Sequence, residues 1–314
     1  MILPWLEPLW REFTERLDSG RMAHALLLSG AEGTGKLALA VEFMASLLCL
    51  ENKQPACGRC RSCQLLGSGA HPDRIILTFE PKKNSTELRN ELTIDQVRRL
   101  TEFLQLTTTI SPRKVTLLYP AETLNRSAAN ALLKTLEEPP GETVLILVAH
   151  DPARLPPTIR SRCQNLRVSP PDTITALSWL RAECGSGESD ALDALEAAAG
   201  SPLRARDMLE DGRPQQYRML KDTLRRLRAQ DLSATEALDD LSEIDPESLW
   251  SWLSLHAARE LRHAMTNRNL ARQIAALQSL ADAYRKLLST PVRKDLLLQD
   301  WLIQWGRLPA VQGA

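Results

Sequence analysis

The sequence has 314 residues, enough for two or three domains, and 43% of them are hydrophobic, so a sizeable core can form. Lysine plus arginine and aspartate plus glutamate both number 39, so no global charge favours a nucleic-acid or membrane partner, and any basic patch must be local. Since there is neither an apolar run long enough to span a bilayer nor a signal-peptide pattern, we expect a cytoplasmic protein with reduced cysteines.

The first predicted elements are a helix, a strand and a glycine-rich turn. Apolar residues at helical spacing predict a helix over residues 3–19, which Gly20 ends. The strand His24–Ser29 follows and leads into Gly30-Ala-Glu-Gly33-Thr-Gly35-Lys36-Leu37, which opens a helix that runs to about Leu50. This stretch fits the phosphate-binding loop G-x-x-x-x-G-K-[ST] in all but its last position.

Gly30, Gly33, Gly35 and Lys36 are the candidate nucleotide-binding residues. The glycines let backbone N–H groups turn toward phosphate oxygens, and the helix start and the lysine add positive charge. Leu37 stands where a serine or threonine should hold magnesium, so we expect ATP or ADP to bind weakly at best. The alternative is a tight strand-to-helix turn that binds no ligand.

The cysteines Cys49, Cys57, Cys60 and Cys63 have the spacing of a structural metal site. Three cysteines at every third residue can face one point, and Cys49, at the end of the preceding helix, can supply a fourth thiolate. Four thiolates around zinc make a closed tetrahedral site, and an iron–sulfur cluster is the other possibility. We expect zinc to fix an insert at about residues 49–66, which has little core of its own.

The third strand lacks the residues of a working ATPase. Arg74–Phe79 and Val115–Tyr119 are the next predicted strands, and the polar segment 80–92 between them is a surface loop without an assigned role. A phosphate-loop ATPase should end this third strand with Asp-Glu, where the aspartate positions magnesium and the glutamate activates water. Here the strand ends with Tyr119-Pro120. Glu122 is a poor substitute, because the proline already breaks the strand.

Strands that alternate with helices predict a parallel sheet covered on both faces. A helix from Ser127, the strand Thr143–Ala149 and a short strand Gln164–Val168 complete this pattern. Beyond Pro170-Pro171 the sequence contains only helical patterns, with a second boundary at Asp211-Gly212. We therefore predict a nucleotide-binding-like domain at 1–168, a small helical domain at 169–210 and a helical domain at 211–314. Four tryptophans are expected to fill the core of the last domain: Trp250, Trp252, Trp301 and Trp305.

Two further strings are long and specific, Asn130-Ala-Leu-Leu-Lys-Thr-Leu-Glu-Glu-Pro-Pro140 and Ile159-Arg-Ser-Arg-Cys163. With the phosphate loop and the cysteines, they make the sequence resemble the AAA+ clamp-loader ATPases of bacterial DNA polymerase III over residues 20–210. The C-terminal third resembles them in helical character and length. Leu37 and Tyr119-Pro120 match the delta-prime branch of this family better than the gamma/tau branch. Gly200-Ser-Pro-Leu203 also has a leucine where gamma/tau carries an arginine.

The resemblance implies an α/β AAA+ module with a small helical lid, followed by an all-α collar domain, in a five-subunit ring. It implies gamma/tau and delta subunits as partners, with the sliding clamp and primer-template DNA acted on by the complex. The chain would catalyse nothing alone, but would belong to the DNA polymerase III holoenzyme, a DNA-directed DNA polymerase and so a nucleotidyltransferase.

The resemblance also implies that Arg162 reaches ATP on a neighbouring gamma/tau subunit. A guanidinium from across an interface can stabilise the charge that builds on the phosphoryl oxygens in the transition state. The alternative for Arg162 is a salt bridge within the chain, and for Arg160 that salt bridge is the preferred role.

Two other functions are open from the sequence. The chain could be a self-sufficient, gamma-like AAA+ ATPase with degenerate catalytic residues, which ATPase activity of the purified chain would reveal. It could also be a zinc-ribbon nucleic-acid-binding protein, although zero net charge and an insert with few basic residues disfavour this.

Overall fold

The computed structural model describes residues 2–82 and 85–309, and the chain separates into two compact units, Met1–Thr175 and Ala176–Ala314. The predicted boundary at Pro170-Pro171 lies close to the observed division. The predicted boundary at Asp211-Gly212 falls inside the second unit, so the separate lid and collar stay a prediction. Among the described helices, none is long and apolar enough to cross a membrane.

The first unit is built on a parallel five-stranded sheet with the order β2-β3-β4-β1-β5. The strands are β1 (Ala25–Ser29), β2 (Arg74–Leu77), β3 (Lys114–Leu118), β4 (Thr143–Ala149) and β5 (Gln164–Arg167). β1 lies between β4 and β5, with Ala25 opposite Leu145 and Leu26 opposite Gln164. All five strands lie where the sequence predicts them.

Helices cover both faces of this sheet, as predicted. They are α1 (Glu7–Asp18), α2 (Lys36–Leu48), α3 (Arg61–Gly67), α4 (Ile94–Gln105), α5 (Arg126–Glu137) and α6 (Pro157–Arg160). Successive side chains of a strand point to opposite faces. Leu26 and Leu28 of β1 therefore pack in one cluster with α1 and α2, whereas Leu27 packs in another with α4 and α5. The carboxyl ends of β1, β3 and β4 meet at one edge, where ligands bind in folds of this kind.

The polar segment between β2 and α4 is largely a surface loop, as expected. Pro81 and Leu88 form an isolated antiparallel bridge, and residues 83 and 84 lie outside the described residues. The loop ends where Thr93 and Gln96 form a reciprocal capping box at the start of α4.

From α7 onward the described chain is helical. The helices are α7 (Thr173–Cys184), α8 (Glu188–Ala197), α9 (Pro202–Glu210), α10 (Arg213–Arg228), α11 (Ala234–Leu241), α12 (Pro246–His263), α13 (Arg268–Lys286) and α14 (Lys294–Gly306). The four tryptophans predicted to fill the core of this region are each 1% exposed or less. Two of them also satisfy their indole N–H: Trp301 donates to the Leu277 carbonyl and Trp305 to the Leu224 carbonyl.

Candidate functional site

The phosphate loop joins β1 to α2, and its glycines have backbone conformations that other residues rarely adopt. Gly30, Gly33 and Gly35 have φ angles of 151°, 74° and 88°. A Cβ on Gly30 would lie 2.0 Å from the Val168 carbonyl oxygen, so glycine lets β5 approach the loop. A Cβ on Gly35 would lie 2.4 Å from Leu3 Cδ1. The loop is therefore packed against the chain on two sides.

The N-terminal segment before α1 provides the second of these contacts. The Trp5 indole N–H donates to the Thr34 carbonyl at 2.9 Å, and Leu3 and Leu6 lie against Gly35. This segment contains a 3-10 turn, Pro4–Leu6, where the sequence predicts the start of a regular helix. It covers the loop with apolar side chains.

Lys36 is buried in the loop, with 2% of its surface exposed. Its Nζ donates to the Ala31 carbonyl at 2.8 Å and lies 2.6 Å from Nδ1 of His150. Burial lowers the pKa of Lys36 to about 8, although the charges of Glu122 and Glu32 oppose this. The amine is still charged at neutral pH, and groups of the same chain bind it.

His150 and Tyr119 complete a chain of polar contacts at this edge. His150 follows β4, Tyr119 follows β3, and the tyrosine hydroxyl lies 3.0 Å from Nε2 of the histidine. The two rings meet edge to face, with 5.3 Å between their centres. Because a lysine ammonium can only donate, Nδ1 of His150 accepts and Nε2 carries the proton. Burial, reinforced by the charge of Lys36, lowers the pKa of His150, which favours this neutral form.

Glu122 lies at the same edge, but one of its oxygens binds the backbone. The residue is 8% exposed, and its Oε1 accepts from the backbone N–H of His150 at 2.9 Å and of Asp151 at 3.4 Å. The carboxylate thus fixes the turn after β4. The sequence does not indicate this role for Glu122, because Glu122 follows β3 whereas the backbone N–H groups that it binds follow β4.

The four predicted cysteines converge. The Sγ atoms of Cys49, Cys57, Cys60 and Cys63 all lie within 4.8 Å of one another, and those of Cys57 and Cys63 are 3.8 Å apart. In a tetrahedral site with Zn–S bonds of about 2.3 Å, sulfurs are about 3.8 Å apart, so the cluster fits such an ion. Cys60 also caps α3, its sulfur accepting from the backbone N–H of Cys63 at 3.5 Å.

A buried polar network lies behind the cysteines, and sequence reasoning missed it. The Ser62 and Ser111 hydroxyls both donate to the Leu48 carbonyl, at 2.7 and 2.8 Å, and Ser62 lies 2.8 Å from Nε2 of His71. The Asp73 carboxylate, which is fully buried, accepts from three successive backbone N–H groups. These belong to Thr109, Ile110 and Ser111, at 2.7, 2.7 and 2.8 Å. The sequence shows His71-Pro72-Asp73 only as a turn, because the partners of Asp73 are 36 to 38 residues away.

Arg162 lies just after α6 and has about a third of its side chain exposed. Its Nε donates to Glu137 Oε1 at 2.8 Å, and its Nη1 donates to the Thr158 carbonyl at 2.9 Å. Arg160 is exposed and has no ion pair within the described part of the chain. The prediction of a salt bridge for Arg160 was therefore wrong. Arg162 forms the salt bridge instead, because Glu137 at the end of α5 lies beside Arg162.

The fold and the site define an AAA+-type phosphate-loop module followed by a helical unit, in which Tyr119-Pro120 replaces the acidic pair at the end of β3. A family model described as "DNA polymerase III, delta subunit" matches residues 5–172. A "DNA polymerase III subunit delta'" of Pseudomonas aeruginosa is 37% identical over 309 residues, covering 96% of this chain and 90% of the relative. The chain belongs to the DNA polymerase III delta' family.

Two more distant similarities agree with the fold. A "DNA polymerase III subunit tau/gamma" of Haemophilus influenzae is 34% identical over 148 residues, covering 47% of this chain and 20% of the relative. The crystal structure of a DNA polymerase III gamma-subunit-related protein from Thermotoga maritima has a TM-score of 0.50 and 19% identity, covering 97% of this chain and 99% of that chain. The resemblance and the fold class drawn from the sequence are thus confirmed.

Proposed function

We propose that the chain is the non-hydrolysing subunit of a DNA polymerase III clamp loader, and that its Arg162 acts on ATP bound to a neighbouring gamma/tau subunit. The complex would contain gamma/tau and delta subunits and would load the sliding clamp onto primed DNA. The observation that supports this proposal most directly is the set of residues that follows β3 at the edge of the sheet. A tyrosine hydroxyl and a proline stand there in place of carboxylates, and the loop lysine is bound by the chain's own groups.

Hydrolysis needs a magnesium ion held near the phosphates and a group that orients the attacking water. Leu37 cannot bind magnesium, and it packs instead with the apolar cluster beside α2. Glu122 has one carboxylate oxygen committed to two backbone N–H groups. We therefore expect this chain to contribute to ATP hydrolysis through a side chain that contacts ATP bound to a neighbouring subunit.

Arg162 is suited to that task because its present ion pair is weak. An exposed pair contributes about 0.2–1 kcal/mol and a hydrogen bond to a charged group about 1.5–3 kcal/mol, so releasing the guanidinium from Glu137 and the Thr158 carbonyl costs about 2–4 kcal/mol. An arginine finger increases the rate by ~10³–10⁵, which corresponds to about 4–7 kcal/mol at 1.36 kcal/mol per tenfold. This gain is larger than the cost of releasing the guanidinium.

We also propose that Cys49, Cys57, Cys60 and Cys63 hold one structural zinc ion. Their sulfurs have the separations of a tetrahedral site, and all four side chains come from one short segment after α2. A closed four-thiolate site leaves no position for substrate, so the role of the zinc would be structural. Its binding free energy would stabilise an insert that has little core of its own.

The test is a complex rebuilt with gamma/tau and delta. We expect Arg162→Ala to assemble and keep its zinc content, but to lose clamp- and DNA-stimulated ATP hydrolysis at one site and to load clamps more slowly. Arg162→Lys should be nearly as poor, because an ammonium lacks the planar fork. Arg160→Ala is the matched control and should behave as wild type.

Wild-type hydrolysis and loading by the Arg162→Ala complex would show that the Glu137 salt bridge is the whole role of this arginine. ATP turnover by the purified chain separates the proposal from the alternative of a self-sufficient ATPase. We expect none above background, and substantial turnover would refute the non-hydrolysing role.

A further inference from the structure

We propose that His150 and Tyr119 are an internal ligand of the phosphate loop, which occupies the place of nucleotide phosphates and keeps the loop closed to nucleotides. This inference deepens the non-hydrolysing role proposed above. It concerns the chain's own loop and not Arg162, so the two can fail separately.

The contacts run in series from the loop to the sheet edge. The Ala31 carbonyl accepts from Lys36 Nζ, which lies 2.6 Å from His150 Nδ1, and His150 Nε2 lies 3.0 Å from the Tyr119 hydroxyl. In a working phosphate loop the lysine amine contacts the β- and γ-phosphates. At 2.6 Å no atom fits between the amine and the imidazole. Two of the three N–H donors of the amine are thus used within the chain and the residue is 2% exposed, so His150 competes with a phosphate for Lys36.

Movement of His150 is opposed by the buried groups around it. Glu122 accepts from the backbone N–H of His150 and of the next residue, so the turn that carries the imidazole is fixed. The Tyr119 ring packs edge-on against the imidazole and joins the apolar cluster beside α2. The imidazole of His150 therefore has little freedom to rotate away from Lys36.

The charges near the imidazole favour the same arrangement. The groups that act on His150 are the ammonium of Lys36 and the carboxylates of Glu122 and Glu32. A neutral imidazole accepts from the ammonium, whereas a protonated one would place two cations in contact. The lysine thus holds the histidine in the tautomer that donates to Tyr119, and the three side chains stabilise one another.

The end of β3 supports the inference independently. This is the position from which a carboxylate would hold magnesium, and Tyr119 fills it with a ring and a hydroxyl that bonds to His150. The loop is also covered from the other side, where Leu3 and Leu6 lie against Gly35. Its glycines therefore serve the packing of this chain and need not serve a ligand.

The experiment measures binding of a fluorescent ATP analogue to the 314-residue chain, with and without magnesium. We expect no saturable binding by wild type in the millimolar range. His150→Ala combined with Tyr119→Ala should tighten binding at least tenfold, and adding Lys36→Met should abolish that gain. His263→Ala, at an exposed position in the second unit, is the matched control and should bind as wild type does. Equal binding by wild type and the double variant would overturn the proposal.

A second measurement needs no variant that might fold poorly. Nitrogen-15 NMR of the wild-type histidines at pH 7 should show His150 neutral, with the proton on Nε2, and unchanged when magnesium and ATP are added. A proton on Nδ1, or a shift of the His150 signals on addition of ATP, would contradict the internal-ligand role. Neither result would bear on the hydrolysis test of Arg162.

Discussion

Asp73→Asn offers a test of how the cysteine insert is attached to the sheet. The carboxylate of Asp73 is fully buried and accepts three backbone N–H groups, from Thr109, Ile110 and Ser111. Ser111 in turn contacts the Leu48 carbonyl, just before the first cysteine. Asparagine has the same shape, but only one of its two terminal groups can accept.

The loss of stability follows from these three bonds. The best rotamer turns the amide oxygen to Ile110 and Ser111 and leaves the NH₂ group facing the N–H of Thr109. One buried N–H is then unsatisfied, which costs about 1–3 kcal/mol, and two charge-assisted bonds become neutral ones, at about 1 kcal/mol each. We expect Asp73→Asn to lower the free energy of unfolding of the first unit by about 3–5 kcal/mol at pH 7.

The same contacts set the pH dependence. Although burial favours the neutral acid, the three N–H groups lower the pKa of Asp73. The stabilisation is therefore fully present above the ordinary aspartate pKa of about 4 and is lost as the pH falls through the lower folded-state pKa. The asparagine variant does not carry this titration. The difference in the free energy of unfolding between wild type and Asp73→Asn should therefore become smaller below about pH 4.

Native-state hydrogen exchange of β1 and β4 amides is the suitable assay, because it reports the opening of the first unit alone. Asp95→Asn is the control. Asp95 is exposed, and its ion pair among the described residues is with Arg98 at 3.5 Å, so its loss should cost about 1 kcal/mol or less. A change below about 1 kcal/mol for Asp73→Asn, or a gap that stays constant with pH, would refute the reasoning.

Two further predictions concern the metal and the loop. Protein purified without chelator should contain one zinc per chain by elemental analysis, and Cys60→Ser should lower that content; a near-zero value, or iron with visible colour, would contradict the site. Gly30→Ala should destabilise the first unit by about 3 kcal/mol or more in thermal unfolding, since its Cβ would lie 2.0 Å from the Val168 carbonyl oxygen. Gly141→Ala, also at positive φ but with nothing within 4 Å, should cost only about 1–2 kcal/mol, and equal losses would show that the contact with β5 is unimportant.

The sequence predicted elements well where the signal is local. A strand buried on both faces is itself an apolar run, so all five strands were found. The cysteines converge because the last three recur every third residue next to the end of α2. The short helices α3 and α6 were missed, since seven and four residues are too few to show a helical period.

Contacts between distant segments could not be predicted in this way. The sequence motif identifies Lys36 as a loop lysine, but its histidine partner is 114 residues further along the chain. The order of the strands likewise depends on pairings such as Leu26 with Gln164. The choice between Arg160 and Arg162 for the salt bridge depended on where α5 ends relative to α6, which neither segment encodes alone.

The contacts of Lys36 also affect how a common experiment is interpreted. Replacing the loop lysine is the usual way to ask whether a subunit must bind ATP. In this chain the amine joins the Ala31 carbonyl to His150, so the replacement removes a cross-link between the loop and the end of β4. A complex weakened by Lys36→Ala would therefore give no information about nucleotide binding. Only the combination with His150 and Tyr119 variants can separate a lost ligand from a lost structural tie.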